Sequence, residues 1–145
     1  MKVRDLMTQP AIQVAPTESV EVAARTLTHY NIGALPVCTG DGRLCGVVTD
    51  RDLVTRCMAS GRKPSEMTVR EVMTGKVEQA RPDMDAAVAA HLMGRLQVRR
   101  LPVVENGKLC GMLSLGDLAK REQSIQDAAD ALSDITSNLS ERTNW

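Results

Sequence analysis

Two periods of apolar residues alternate along the chain, and each run has a counterpart of the same period further on. Three- and four-residue steps place Val20, Ala23, Ala24 and Leu27 on one helical face, and the same steps return in Ala86, Ala89, Ala90 and Met93. Thr17 and Asp83 precede these runs as the expected N-caps. Two short apolar segments follow each helix, ALPVC with RLCGVVT and RLPVV with KLCGMLS; the Asp-Gly and Asn-Gly pairs between them predict hairpins. Ahead of each helix stand a helical turn (VRDLM, TVREVM) and an extended stretch (AIQVAP, VEQARP), with Thr68 and Glu71 spaced as a capping box. A last helix begins at DRDLVTRCMA or LGDLAKRE. The unit is β-α-β-β-α, and it occurs twice.

Residue-by-residue correspondence makes the duplication explicit. An offset of 66 carries Val3, Arg4, Met7 and Thr8 onto Val69, Arg70, Met73 and Thr74, and Leu35-Pro36-Val37 onto Leu101-Pro102-Val103. One deletion, TGDG against ENG, reduces the offset to 65 and falls in a turn, where length changes cost least. Residues 1–59 form the first repeat, the polar Gly- and Pro-containing stretch 60–66 the linker, and 67–122 the second repeat. A unit of that size covers one face of its sheet and is marginal alone. The expected fold is therefore α+β, two β-α-β-β-α repeats packed sheet to sheet around a pseudo-two-fold axis. Residues 123–145 have no counterpart; Ile125, Ala128, Ala129, Leu132, Ile135 and Leu139 recur there at helical steps and predict a C-terminal amphipathic helix.

Composition narrows the function classes. With 18 basic and 18 acidic residues the net charge is zero, and one Tyr, one Trp and no Phe leave no stacking platform, so nucleic acid is not an expected partner. The start lacks the apolar core of a signal peptide and no run of about 18 apolar residues occurs, which predicts a soluble cytoplasmic protein without membrane contact. Cys38, Cys45, Cys57 and Cys110 form no CxxC pair, and His29 and His91 neither align nor show ligand spacing, so no metal is expected. No nucleophile with a base, phosphate loop or paired carboxylates stands out, and no catalytic residue is assigned.

The candidate chemistry sits where each second strand runs into its helix. Glycine, two apolar residues, Thr or Ser, two variable residues and Asp occur as Gly46 to Asp52 (GVVTDRD) and Gly111 to Asp117 (GMLSLGD). An ionised carboxylate accepts strong hydrogen bonds from a vicinal diol, and a hydroxyl three residues earlier converges on the same sugar. Thr49 with Asp52, and Ser114 with Asp117, are thus candidate ribose clamps, while Gly46 and Gly111 would admit a flat base close to the backbone. The alternative reading is that each Thr/Asp or Ser/Asp pair only caps its helix.

Two such junctions, each preceded by an LPV strand, resemble the CBS domain pair, or Bateman module, over residues 1 to about 122. The two-repeat format is similar to small stand-alone bacterial CBS proteins of the hypoxic-response type. The resemblance implies a non-catalytic module that binds AMP, ADP, ATP or S-adenosylmethionine in the cleft between its repeats as an energy or metabolite sensor, needing no other cofactor. It further implies a homodimer and a protein target reached in trans. Basic residues just before the LPV strand hold phosphates in nucleotide-sensing relatives, and here Arg99 and Arg100 stand opposite Gly33 and Ala34. Arg51 and Lys120 are lesser candidates, and the alternative for the arginines is solvated surface charge. Two rival functions are an interaction module with empty clefts and a thiol redox sensor using Cys38 and Cys45.

Overall fold

A computed structural model describes residues 1–121 and 124–137. Helix α1 (Val20–Tyr30) leads to strands β1 (Ala34–Cys38) and β2 (Leu44–Thr49), then to the short helix α2 (Asp50–Asp52), which continues as a π turn over Leu53–Cys57. The second repeat supplies α3 (Val69–Val72), α4 (Ala86–Leu96), β3 (Arg100–Glu105), β4 (Lys108–Ser114) and α5 (Leu115–Ala119), and α6 (Ile125–Ser137) follows. This is the expected mixture of helices with two small antiparallel sheets, β1-β2 and β3-β4, and a C-terminal helix. Asn106 and Gly107, at φ 54° and 80°, make the tight turn between β3 and β4 that only such residues tolerate readily.

The third strand of each repeat contracts to a single residue, for a reason visible in the prolines. Val14 donates to the Pro36 carbonyl (3.1 Å) and accepts from Cys38 N–H (2.9 Å), and Ala80 makes the same pair of bonds with Pro102 and Val104. Extending this parallel ladder one step back would require an N–H from Pro36 or Pro102. One step forward it would require an N–H from Pro16 or Pro82. None of the four has a donor, so the pairing stops at both ends.

The N-caps lie two residues later than expected. Ser19 accepts from Val22 N–H (3.1 Å) and Asp85 from Ala87 N–H (3.2 Å). Thr17 and Asp83 instead occupy the preceding turns, which are closed by Glu18 N–H on Ala15 and Met84 N–H on Arg81. The helical faces agree with the spacing: Val20, Ala23 and Leu27 are buried on α1, and Ala86, Ala89, Ala90 and Met93 on α4.

The chain divides into two compact units that cut across the repeats. One, here the first-repeat unit, comprises Ala11–Val77 with Gly107–Leu109; the second-repeat unit comprises Met1–Pro10, Glu78–Asn106 and the described residues from Cys110 onward. In the second-repeat unit, Val3 and Arg4 donate to Met84 and Pro82 (2.9 and 3.0 Å), and Thr8 exchanges two backbone bonds with Met112. In the first-repeat unit, Val69 and Arg70 donate to Glu18 and Pro16 (2.8 and 3.0 Å), and Thr74 exchanges two with Val47. Each opening turn is thus seated on the body of the other repeat. Val3 and Leu6 in one core, and Val69 and Val72 in the other, are buried, at roughly 1.5–3 kcal/mol for each such side chain.

Candidate functional site

Each junction is a reciprocal cap. Thr49 Oγ1 accepts from Asp52 N–H (3.1 Å) while Asp52 Oδ2 accepts from Thr49 N–H (2.9 Å); Ser114 and Asp117 repeat this at 3.0 and 2.9 Å. The capping alternative is therefore realised for one oxygen of each carboxylate. The other oxygen differs between the two. Asp52 Oδ1 lies 3.7 Å from Arg56 Nε, and that guanidinium also bonds the Val72 and Met73 carbonyls. Asp117 Oδ1 meets no partner among the described residues and keeps its accepting capacity.

The two glycines stand against main chain. A Cβ on Gly111 would stand 2.6 Å from Thr8 O and 3.1 Å from Met7 Sδ, and one on Gly46 would run into Thr74 O in the same manner. The missing side chains make room for the opening segment that pairs there, through the Thr8–Met112 and Val47–Thr74 bridges. Gly46 and Gly111 therefore have a packing role at these bridges.

A main-chain bond brings the arginines to the second junction. Leu115 N–H donates to the Arg99 carbonyl at 2.9 Å, tying the start of α5 to the residue before β3. The equivalent bond in the first-repeat unit, Asp50 N–H to Gly33 O at 3.0 Å, brings no charge with it. Arg99, Arg100, Ser114, Leu115, Gly116 and Ala119 then line a cavity of about 540 Å³ within the second-repeat unit. Ile125, Ala128, Ala129 and Leu132 of α6 complete its lining. Of the expected site residues, the cavity gathers Arg99, Arg100 and Ser114, whereas Asp117 is half-buried beside it through its bonds to Ser114. Arg51 and Lys120 are exposed and stand outside this lining.

The α6 wall is the part of the site that sequence reasoning missed. Its residues are four of the six in the predicted apolar stripe, but the helix packs inward mainly on Ala128, Ala131 and Ile135. Ile125 and Leu132 remain 50% and 42% exposed, which packing alone does not account for. Leu139 lies outside the described residues.

The thiol pair is poorly set up for redox chemistry. Cys38 is buried opposite Leu44, and burial, with Cys45 nearby, pushes its thiol up to about 11, which keeps it protonated. Among the described residues no cluster of three His, Cys, Asp or Glu side chains could hold a metal ion, and no helix is long and apolar enough to cross a membrane.

Duplicated α+β halves, each carrying a hydroxyl–carboxylate helix start, describe a regulatory ligand-binding module built as a tandem repeat. Residues 3–59 and 69–124 each match the family model of the CBS domain, and the chain belongs to that family. The CBS domain-containing protein YhcV of Bacillus subtilis is 38% identical over 134 residues, covering 92% of this chain and 94% of the relative. Hypoxic response protein 1 of Mycobacterium tuberculosis is 32% identical over 117 residues, covering 81% and 82%. The structure of CBSX2 in complex with AMP superposes with a TM-score of 0.75 at 31% identity, covering 86% of this chain and 98% of that one.

Proposed function

We propose that this protein is a sensor of an adenosine-containing anion and that its working site is the cavity of the second-repeat unit. The observation that carries the reading is the meeting of Arg99, Arg100 and Ser114 on one hollow of about 540 Å³, a volume suited to a mononucleotide. The arginines supply bidentate phosphate contacts, and Asp117 Oδ1 supplies an ionised acceptor for a ribose hydroxyl. In the first-repeat unit the corresponding oxygen faces Arg56 and the corresponding pre-strand residues are Gly33 and Ala34, so that site is the weaker one. AMP in the CBSX2 structure supports the ligand class. A homodimer acting on a protein target in trans in the cytoplasm completes the reading; ligand would act there by favouring one of two arrangements of the module.

Calorimetric titration with AMP, ADP, ATP and S-adenosylmethionine tests it, on wild type, Asp52→Asn and Asp117→Asn. Asparagine keeps the oxygen that accepts from the N-cap amide, so the helix start survives and only charge is lost. Loss of a charge-assisted bond worth about 1.5–3 kcal/mol predicts a fall of roughly 10- to 150-fold for Asp117→Asn. Asp52→Asn should stay within about twofold. Flat titrations of the wild type with all four compounds overturn the reading. They would favour an interaction module with empty sites, which the reciprocal caps at both junctions also suit.

A further inference from the structure

Resting on that reading, we propose that α6, which lies beyond the matched CBS repeats, is the base-binding wall of the site and sets its preference for ligands carrying a flat apolar group. The second repeat ends, as matched, at residue 124, and α6 spans Ile125–Ser137. Its Ile125 and Leu132 remain substantially exposed although α6 is packed against α4, and both line the cavity together with Ala129. They share the lining with Arg99, Arg100 and Ser114. The hollow therefore offers both cationic and hydroxyl groups and aliphatic side chains to one ligand. An anion held by the arginines presents its sugar to Ser114 and has its base covered by α6, which removes apolar area from water on both surfaces.

The seat of α6 is built into α4 at a single residue. Gly94 lies inside that helix, where glycine costs about 1 kcal/mol relative to alanine. A Cβ there would stand 2.8 Å from Asp134 Oδ2, 3.3 Å from Asp134 Cβ and 3.4 Å from the Ala131 Cα, so α6 packs closely over this glycine and a larger side chain would press on it. The offset of 66 places Thr28 at the equivalent position of α1, where its hydroxyl bonds the Ala24 carbonyl. The first repeat thus carries a branched, hydroxyl-bearing residue where the second carries the glycine that α6 contacts.

NMR titrations of the full chain with AMP and with ribose 5-phosphate, which lacks the base, separate the walls. In Ile125→Ala/Leu132→Ala, two positions already half-exposed, AMP affinity should fall roughly 5- to 20-fold, while ribose 5-phosphate stays within about twofold of wild type. Val88→Ala, an exposed apolar residue of α4 outside the cavity lining, should leave both unchanged. Gly94→Thr, importing the residue of the first repeat, should reproduce the AMP-selective loss and lower amide protection in α6 but not in β3 and β4. Unchanged AMP affinity in the double variant, or equal weakening of both probes, overturns the role of α6. Where wild type prefers ADP, ATP or S-adenosylmethionine, the same comparison is made with that compound; absence of binding to all four overturns the sensing proposal itself, so the two failures are distinguishable.

Discussion

Substituting Gly111 by alanine separates a structural glycine from a ligand-facing one. The added Cβ would lie 2.6 Å from the Thr8 carbonyl oxygen, which is main chain and cannot swing aside as a flexible side chain would. Either the strand shifts, at about 1–3 kcal/mol for overpacking, or the Thr8 segment lifts off. Lifting it off sacrifices the Thr8–Met112 bonds of 2.8 and 3.0 Å, each worth about 0.5–1.5 kcal/mol net. Removing glycine's freedom in the unfolded chain returns only about 0.4–1 kcal/mol. The net expectation is a destabilisation of about 0.5–2.5 kcal/mol, or a melting temperature lower by roughly 1–10 °C. Urea unfolding followed by circular dichroism reads this directly, with Gly75→Ala, which meets open space, as the control within about 0.5 kcal/mol. A Gly111→Ala protein that unfolds with wild-type stability yet no longer binds AMP would refute the structural assignment and return the glycine to the ligand.

Three further outcomes follow from the geometry. Ser19→Ala should cost about 1 kcal/mol as a lost N-cap whereas Thr17→Ala stays within about 0.5, a contrast that thermal melts resolve. The Thr68 N–H, followed by Arg62, holds the Glu71 carboxyl below the ordinary glutamate range. A depressed carboxyl stabilises the fold above its unfolded pKa and loses that contribution as pH falls through the folded one. Glu71→Gln should therefore be less stable than wild type at neutral pH, with the difference closing below about pH 4 in pH-resolved urea melts. Iodoacetamide at pH 7.5 should label Cys45 and Cys110 well before Cys38, whose thiol is pushed up to about 11, with peptide mass spectrometry as the readout; rapid Cys38 labelling would reopen the redox function.

Much of the fold is legible because duplication turns each weak signal into two. One LPV segment is ambiguous, but two in step fix the hairpins, and Asn106-Gly107 fixes a turn. The helix starts lie later than the sequence suggests because Thr17 and Asp83 are good caps locally, yet Val20 and Ala86 donate their N–H groups to the Met67 and Met1 carbonyls, segments distant in the chain. Local preference could not register that. The packing role of the junction glycines is hidden from the sequence for the same reason, since Thr8 and Thr74, which lie where a Cβ would stand, belong to the opposite repeat. Arg99 and Arg100 stand out in the sequence because the repeats differ there in charge, and Ser114 because its motif repeats that of Thr49. The α6 wall was not, because an apolar stripe does not say which of its residues meet a helix and which face a hollow.

The exchange of opening turns also bears on synthesis and ancestry. Residues Met1–Pro10 leave the ribosome well before their partners, which lie some 80 residues or more downstream, so they wait unpaired until those segments are made. A single ancestral repeat in the same position would have had to lend its turn to a second molecule. Gene fusion replaces that dependence on protein concentration with a tether, and the partner is then always at hand.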